Sequence, residues 1–210
     1  MRGHARPGWG GPAVIVVVRH GRTAANAAGL LLGRADPVLD DLGLRQAAAL
    51  AGACAELDLA RIVTSPLARC RQTAEVVAAG QPAAVAVEVD ERWVELDYGE
   101  LDGRPVRDVP AATWAAWRGD AGWEPPGGES LAALGARVRA ACEALVDDAR
   151  ERDVVVVSHV SPIKAAVAWA LGVGDEATWR MWVGAASITR IGVAGPLPSL
   201  RTFNEVTHLA

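Results

Sequence analysis

The sequence predicts an α/β fold in which helices cover both faces of a mainly parallel sheet. Three observations carry that expectation. The runs Ala13–Val18 and Asp153–Val157 are nearly continuous in β-branched apolar residues, as strands buried on both faces are. Stretches of helical periodicity separate the strand candidates, which is what parallel pairing requires. No internal repeat or low-complexity linker interrupts the alternation.

The elements follow in order. Met1 to Pro12 holds Arg2, Arg6, four glycines and two prolines. It reads as a disordered tail (1–12) ahead of a single domain over 13–210. Ala13–Val18 is the first strand. Asp41–Leu57 is an Ala/Leu-rich helix, with Leu50, Cys54 and Leu57 at helical spacing. Arg61–Thr64 is a short strand, followed by a helix over Pro66–Ala79 and a strand over Ala84–Val89. Ser130–Arg150 predicts one long helix whose apolar stripe runs through Leu131, Leu134, Val138, Cys142, Leu145 and Ala149. Asp153–Val157 is the second long apolar strand. A helix over Pro162–Leu171 and strands over Ser187–Val193 and Leu200–Val206 complete the chain. The segment 101–128 differs, with Trp114, Trp117, Trp123, four prolines and five glycines. It reads as a short helix plus loop laid over the sheet as a cap.

Composition excludes several classes. The 210 residues are 51% hydrophobic and 22% charged, which suits a globular chain and not a disordered one. A net charge of −4 argues against a nucleic-acid partner. No apolar run approaches the ~18 residues of a membrane span, so no membrane association is expected. Cys54, Cys70 and Cys142 are odd in number and lack CxxC spacing, which points to a reducing cytoplasm and no metal site. Of 21 basic residues only Lys164 is a lysine, so an arginine matters here by position and not by number.

In an open α/β sheet, ligands bind beyond the carboxyl ends of the strands. There the chain places Arg19-His20-Gly21-Arg22-Thr23-Ala24-Ala25-Asn26, Ser65-Pro66-Leu67-Ala68-Arg69 and Ser158-His159-Val160-Ser161-Pro162. Two of only four histidines come second after the two most apolar strands. Ser65 and Ser161 read as N-caps with Pro66 and Pro162 at the first helical position. Free N–H groups at those helix starts, with Arg19 and Arg69, would suit a dianion.

Five blocks then occur in order: Arg19-His20-Gly21-x-Thr23-x-x-Asn26; Asp36-Pro37-x-Leu39-x-x-x-Gly43-x-x-Gln46; Ser65-Pro66-Leu67-x-Arg69; Glu95-x-x-x-Gly99-x-x-x-Gly103; and Ser158-His159. In these the chain resembles the histidine phosphatase superfamily, also called phosphoglycerate mutase-like. The resemblance implies a three-layer α/β/α sandwich with one antiparallel edge strand and a small helical cap. It implies that His20 is a nucleophile that becomes a phosphohistidine. Arg19, Arg69 and His159 would bind the transferred phosphoryl group, and Glu95 would protonate the leaving oxygen and then activate water. Gly21, Thr23, Asn26 and Val160 match the phosphate and substrate pocket. Glu129, in a Gly-Gly-Glu-Ser string, would help orient substrate.

The chemistry fits these roles. A neutral imidazole is a competent nucleophile when its other nitrogen is tied down as a donor. Phosphoryl transfer needs fixed positive groups around the equatorial oxygens more than covalent help, so no cofactor is expected. Arg22 adds a positive charge at the pocket rim, and Lys164 is a surface or rim residue. The expected substrate is a small phosphate ester, such as α-ribazole phosphate, or a broad set of such esters. The protein would be a monomer or homodimer. A cofactor-dependent phosphoglycerate mutase is the alternative, and a non-catalytic phosphate-ligand binding protein is the second.

Overall fold

The computed structural model describes residues 14–210. The tail over 1–12 and the first residue of the expected first strand lie outside them. Six strands form one sheet: β1 (Val14–Arg19), β2 (Leu59–Thr64), β3 (Val87–Val89), β4 (Asp153–Ser158), β5 (Ile188–Gly192) and β6 (Ser199–Glu205). Their order is β3-β2-β4-β1-β5-β6. β3, β2, β4 and β1 pair in parallel, with Val16 opposite Val155 and Val63 opposite Val156. β5 runs antiparallel to β1, and β6 antiparallel to β5. The one opposed strand is therefore β5, a single place in from the edge.

The described residues hold seven α-helices: α1 (Ala24–Ala27), α2 (Asp41–Cys54), α3 (Ala68–Ala79), α4 (Ala111–Gly119), α5 (Leu131–Glu143), α6 (Val146–Glu151) and α7 (Val160–Leu171). The apolar strand runs explain the two cores. Successive side chains point to opposite faces, so Val16, Val18, Val155 and Val157 pack beneath α2 and α3 with Leu50, Cys54 and Ala74. Ile15, Val17, Val154 and Val156 pack on the other face with Leu134, Val138, Ile163 and the cap residue Trp117. Both cores are continuous through the centre of the sheet, which fixes the strand ends that carry the site.

Three local expectations change. The helix expected over Ser130–Arg150 divides, because the Leu145 amide bonds the Cys142 carbonyl in a tight i→i+3 turn. Neither Gly nor Pro breaks the run. The turn re-aims the chain so that Leu145 and Ala149 both stay buried. The helix after β2 starts at Ala68 and not at Pro66. Ser65 Oγ accepts from the Leu67 amide at 3.4 Å, and the Asp36 carboxylate caps the Ala68 amide at 2.6 Å. The last long helix starts earlier, with His159 at the N-cap and Ser161 and Pro162 inside its first turn. Pro162 is tolerated there because first-turn N–H groups have no helical partner to lose.

The segment 101–128 holds α4 between irregular stretches. Trp114 and Trp117 stack at 5.7 Å, Trp123 packs against Trp117 at 5.5 Å, and Trp179 meets both stacked rings edge-on. No helix among the described residues is long and apolar enough to cross a membrane.

Candidate active site

The carboxyl ends of β1, β2 and β4 meet where the sequence placed its chemistry. Arg19 closes β1, and His20 follows it with its amide held by the Ser158 carbonyl of β4 at 3.0 Å. His20 is only 3% exposed. Its ring and the His159 ring lie 5.1 Å apart, edge to face.

The His20 imidazole is fixed and neutral. Nδ1 lies 2.6 Å from the Gly21 carbonyl, which can only accept, so Nδ1 carries the proton. The lone pair therefore sits on Nε2. Burial first, then the positive charges of Arg19 and Arg69, hold the pKa well below the ordinary histidine value. The turn needs glycine. A Cβ on Gly21 would meet the Gly43 carbonyl oxygen at 2.3 Å, and one on Gly43 would meet the Arg22 carbonyl oxygen at 2.0 Å. Two backbones cross here with no room for side chains.

Arg69 is fully buried and rigidly held. Its Nη1 donates to the Ala35 carbonyl at 2.8 Å and Nη2 to the Gly33 carbonyl at 2.9 Å. The Asp102 carboxylate secures that loop by accepting from the amides of Gly33, Arg34 and Ala35. Arg69 Nε donates to His159 Nδ1 at 3.2 Å. His159 Nε2 must then carry its proton, and it donates to Ser65 Oγ at 2.7 Å. Burial, then Arg69, keeps this imidazole neutral as well. Both ring nitrogens have protein partners, so a direct phosphoryl contact requires one of them to be released.

Arg19 donates through Nη1 to the Val183 carbonyl at 2.8 Å. Its Nε is buried with no hydrogen-bond partner among the described residues. A buried cationic N–H without an acceptor is a site for an oxyanion.

Glu95, 3% exposed, lies in the irregular stretch after β3. Its Oε1 accepts from the Leu96 amide at 2.7 Å and the Ser161 amide at 3.2 Å, while Oε2 is 3.5 Å from the latter. The Glu95 carboxyl group thus caps the N-terminus of α7 through Oε1 and leaves Oε2 the freer oxygen.

The remaining candidates divide. Thr23 and Asn26 form a reciprocal capping box on α1, Thr23 Oγ1 lying 3.0 Å from Asn26 Oδ1. The amide NH2 of Asn26 has no partner among the described residues. Val160 opens α7 beside His159. Glu129 comes to the site, but Arg137 holds both of its carboxylate oxygens, at 2.7 and 2.8 Å. Arg22 pairs with Asp40 at 2.8 Å, which offsets the expected rim charge.

Sequence reasoning missed Arg137. Besides Glu129 it donates to the carbonyls of Arg92, Val94 and Glu95 at 2.6, 2.8 and 3.3 Å. All five guanidinium N–H groups are thereby matched, and the irregular stretch that carries Glu95 is fixed to α5. In a chain with 20 arginines nothing marked this one. Asp102 was missed too, since its role exists only across a loop contact.

Comparison with known proteins identifies the family. Residues 15–206 match the family described as histidine phosphatase superfamily (branch 1). The bifunctional protein Rv2228c of Mycobacterium tuberculosis is 34% identical over 97% of this chain, and the chain spans 58% of that relative's length. A probable phosphoglycerate mutase GpmB of Yersinia enterocolitica is 31% identical over 84% of this chain and 83% of its own. Among solved structures, the mycobacterial glucosyl-3-phosphoglycerate phosphatase Rv2419c, in complex with VO3, superposes with a TM-score of 0.82. It is 30% identical, over 92% of this chain and 100% of its own. The chain belongs to the histidine phosphatase superfamily, branch 1.

Proposed function

We propose that this protein is a metal-independent phosphatase that hydrolyses small phosphomonoesters through a phosphohistidine at His20. The observation that carries the reading is the buried, neutral His20 ring, with Nδ1–H fixed on Gly21 and two arginines beside it.

The reaction divides into two transfers. His20 Nε2 gives its lone pair to phosphorus as the bond from phosphorus to the ester oxygen breaks. Protonated Glu95 supplies a proton to that leaving oxygen, and the alcohol departs. Arg19 and Arg69 stabilise charge on the equatorial oxygens. His159 and Ser65 keep Arg69 oriented. Water then attacks phosphorus while the Glu95 carboxylate takes its proton. The P–N bond returns its electrons to Nε2, and inorganic phosphate leaves. Thr23, Asn26, Gly21 and Val160 line the substrate side, with the free Asn26 amide available to a phosphate oxygen.

The relative named as a probable phosphoglycerate mutase favours a second reading, cofactor-dependent mutase activity. A bisphosphate intermediate needs further cations at the cap. Here Arg104 bonds the Glu100 carbonyl, Arg107 pairs with Asp108, and Arg118 lies over Trp114 and Trp179. That arrangement supports the phosphatase reading. Two assays test it. A generic aryl phosphate should be hydrolysed in EDTA, and loss of all activity on chelation contradicts the metal-independent route. Fast conversion of 3-phosphoglycerate to 2-phosphoglycerate with 2,3-bisphosphoglycerate present would establish the mutase.

A further inference from the structure

A cavity of about 180 Å³ opens between the cap and the start of α7. Trp114, Trp117, Trp179, Leu31 and Leu96 supply apolar walls, and Lys164, the chain's one lysine, is the only charged side chain among its lining residues. Two wall residues tie it to the chemistry. Leu96 follows Glu95 in the chain, and the Ser161 amide donates to the Glu95 carboxylate. A phosphoester bound with its phosphorus at His20 therefore extends its leaving group, which Glu95 must reach, toward this space.

The lining prescribes the leaving group's chemistry. A space of this kind has room for a ring-sized leaving group. Tryptophan faces favour a flat apolar body. Polar groups in the wall are few: the Tyr98 and Ser161 hydroxyls lie 3.5 Å from each other, and the Lys164 ammonium makes no hydrogen bond or ion pair among the described residues. The Thr178 hydroxyl is already given to the Asp175 carbonyl at 2.7 Å. Burial lowers the Lys164 pKa from its ordinary value, opposed by Glu95 and aided by Arg19, which places this ammonium electrostatically close to the acid and the phosphate site.

Resting on the phosphatase reading, we infer that the preferred substrates are phosphomonoesters whose leaving group is a flat aromatic body bearing a second anion, a carboxylate, that pairs with Lys164. Sugar and glycerol phosphates, with several hydroxyls, would leave those hydroxyls unpaired against tryptophan.

The test compares benzyl phosphate, 3-carboxybenzyl phosphate and glycerol phosphate, all esters of alkyl alcohols, with the wild type and Lys164→Met. Methionine keeps most of the apolar stem and removes the charge. The wild type should favour 3-carboxybenzyl phosphate over both others in kcat/KM. Lys164→Met should lower the 3-carboxybenzyl to benzyl ratio by about tenfold or more, the size of one charge-assisted contact. An unchanged ratio, or a wild type that favours glycerol phosphate, overturns the inference and leaves the phosphatase reading standing. Hydrolysis of none of the three overturns both.

Discussion

The two ends of the site are built on opposite plans. At the phosphate end most polar groups have a named partner, and the two left over among the described residues, Arg19 Nε and the Asn26 amide NH2, are donors. His20 is held by Gly21, Arg69 by Gly33, Ala35 and His159, and Glu95 by Leu96 and Ser161. At the cap end the walls are mostly tryptophan rings packed on one another and aliphatic side chains, and one ammonium stands among them. The first plan tolerates no substitution because removing one partner strands another in a buried place. The second tolerates repacking, because apolar contact is not directional. Chemistry is fixed where bonds are matched, and substrate choice resides where they are not.

Substitutions at the two ends should therefore separate. His20→Ala should lower kcat by about 10⁴-fold or more, the scale of removing a nucleophile. Steady-state hydrolysis of an aryl phosphate checks this. Arg69→Met should cost about 10²- to 10³-fold in kcat, as loss of a preorganised charge does. It should also destabilise the fold by about 1–3 kcal/mol per stranded carbonyl, since those of Gly33 and Ala35 lose their donor. Urea unfolding measures that part. Arg137→Lys tests positioning. Lysine cannot reproduce the five-donor fork, so the Glu95 stretch loosens and kcat should fall about 10- to 100-fold with little change in KM. Labelling of His20 by a substrate with a good leaving group should persist. Trp114→Leu, at the cap end, should change KM among esters several-fold and leave kcat for a generic aryl phosphate within about threefold.

Acid stability gives the smallest and most general contrast. His20 and His159 are held neutral in the fold well below the ordinary histidine pKa, burial being the main cause. In the unfolded chain each takes up a proton below about pH 6.5. The unfolded state then binds more protons than the fold, so stability falls as pH drops from 6.5. The slope is at most about 1.4 kcal/mol per pH unit for each such group. His159→Gln should shallow that slope in urea titrations between pH 6.5 and 5, and an unchanged slope would show that the ring is not held neutral.

What the sequence revealed follows the same division. β1 and β4 were legible because strands buried on both faces must be continuously apolar. His20, Arg69, Glu95 and His159 were legible because they stand at fixed places after strands or in ordered blocks. The helix starts were read less well. Ser65 and Ser161 have the residue type of an N-cap, yet Asp36 caps α3 from 32 residues away and Ser161 gives its amide to Glu95. Both are tertiary contacts that no local pattern contains. Arg137, Asp102 and the Arg137–Glu129 pair were hidden for the same reason, and the arginine-rich composition concealed the first. The cap tryptophans were recognised as a cluster, but their arrangement around Lys164 depends on Trp179, which lies outside the cap segment.

The central claim is that His20 carries the phosphoryl group. Rapid quenching of the protein with a ³²P-labelled aryl phosphate measures it directly. The account predicts an acid-labile, base-stable phosphoenzyme that maps to His20 and is absent in His20→Ala. Turnover without such a species, or label at any other residue, would contradict it.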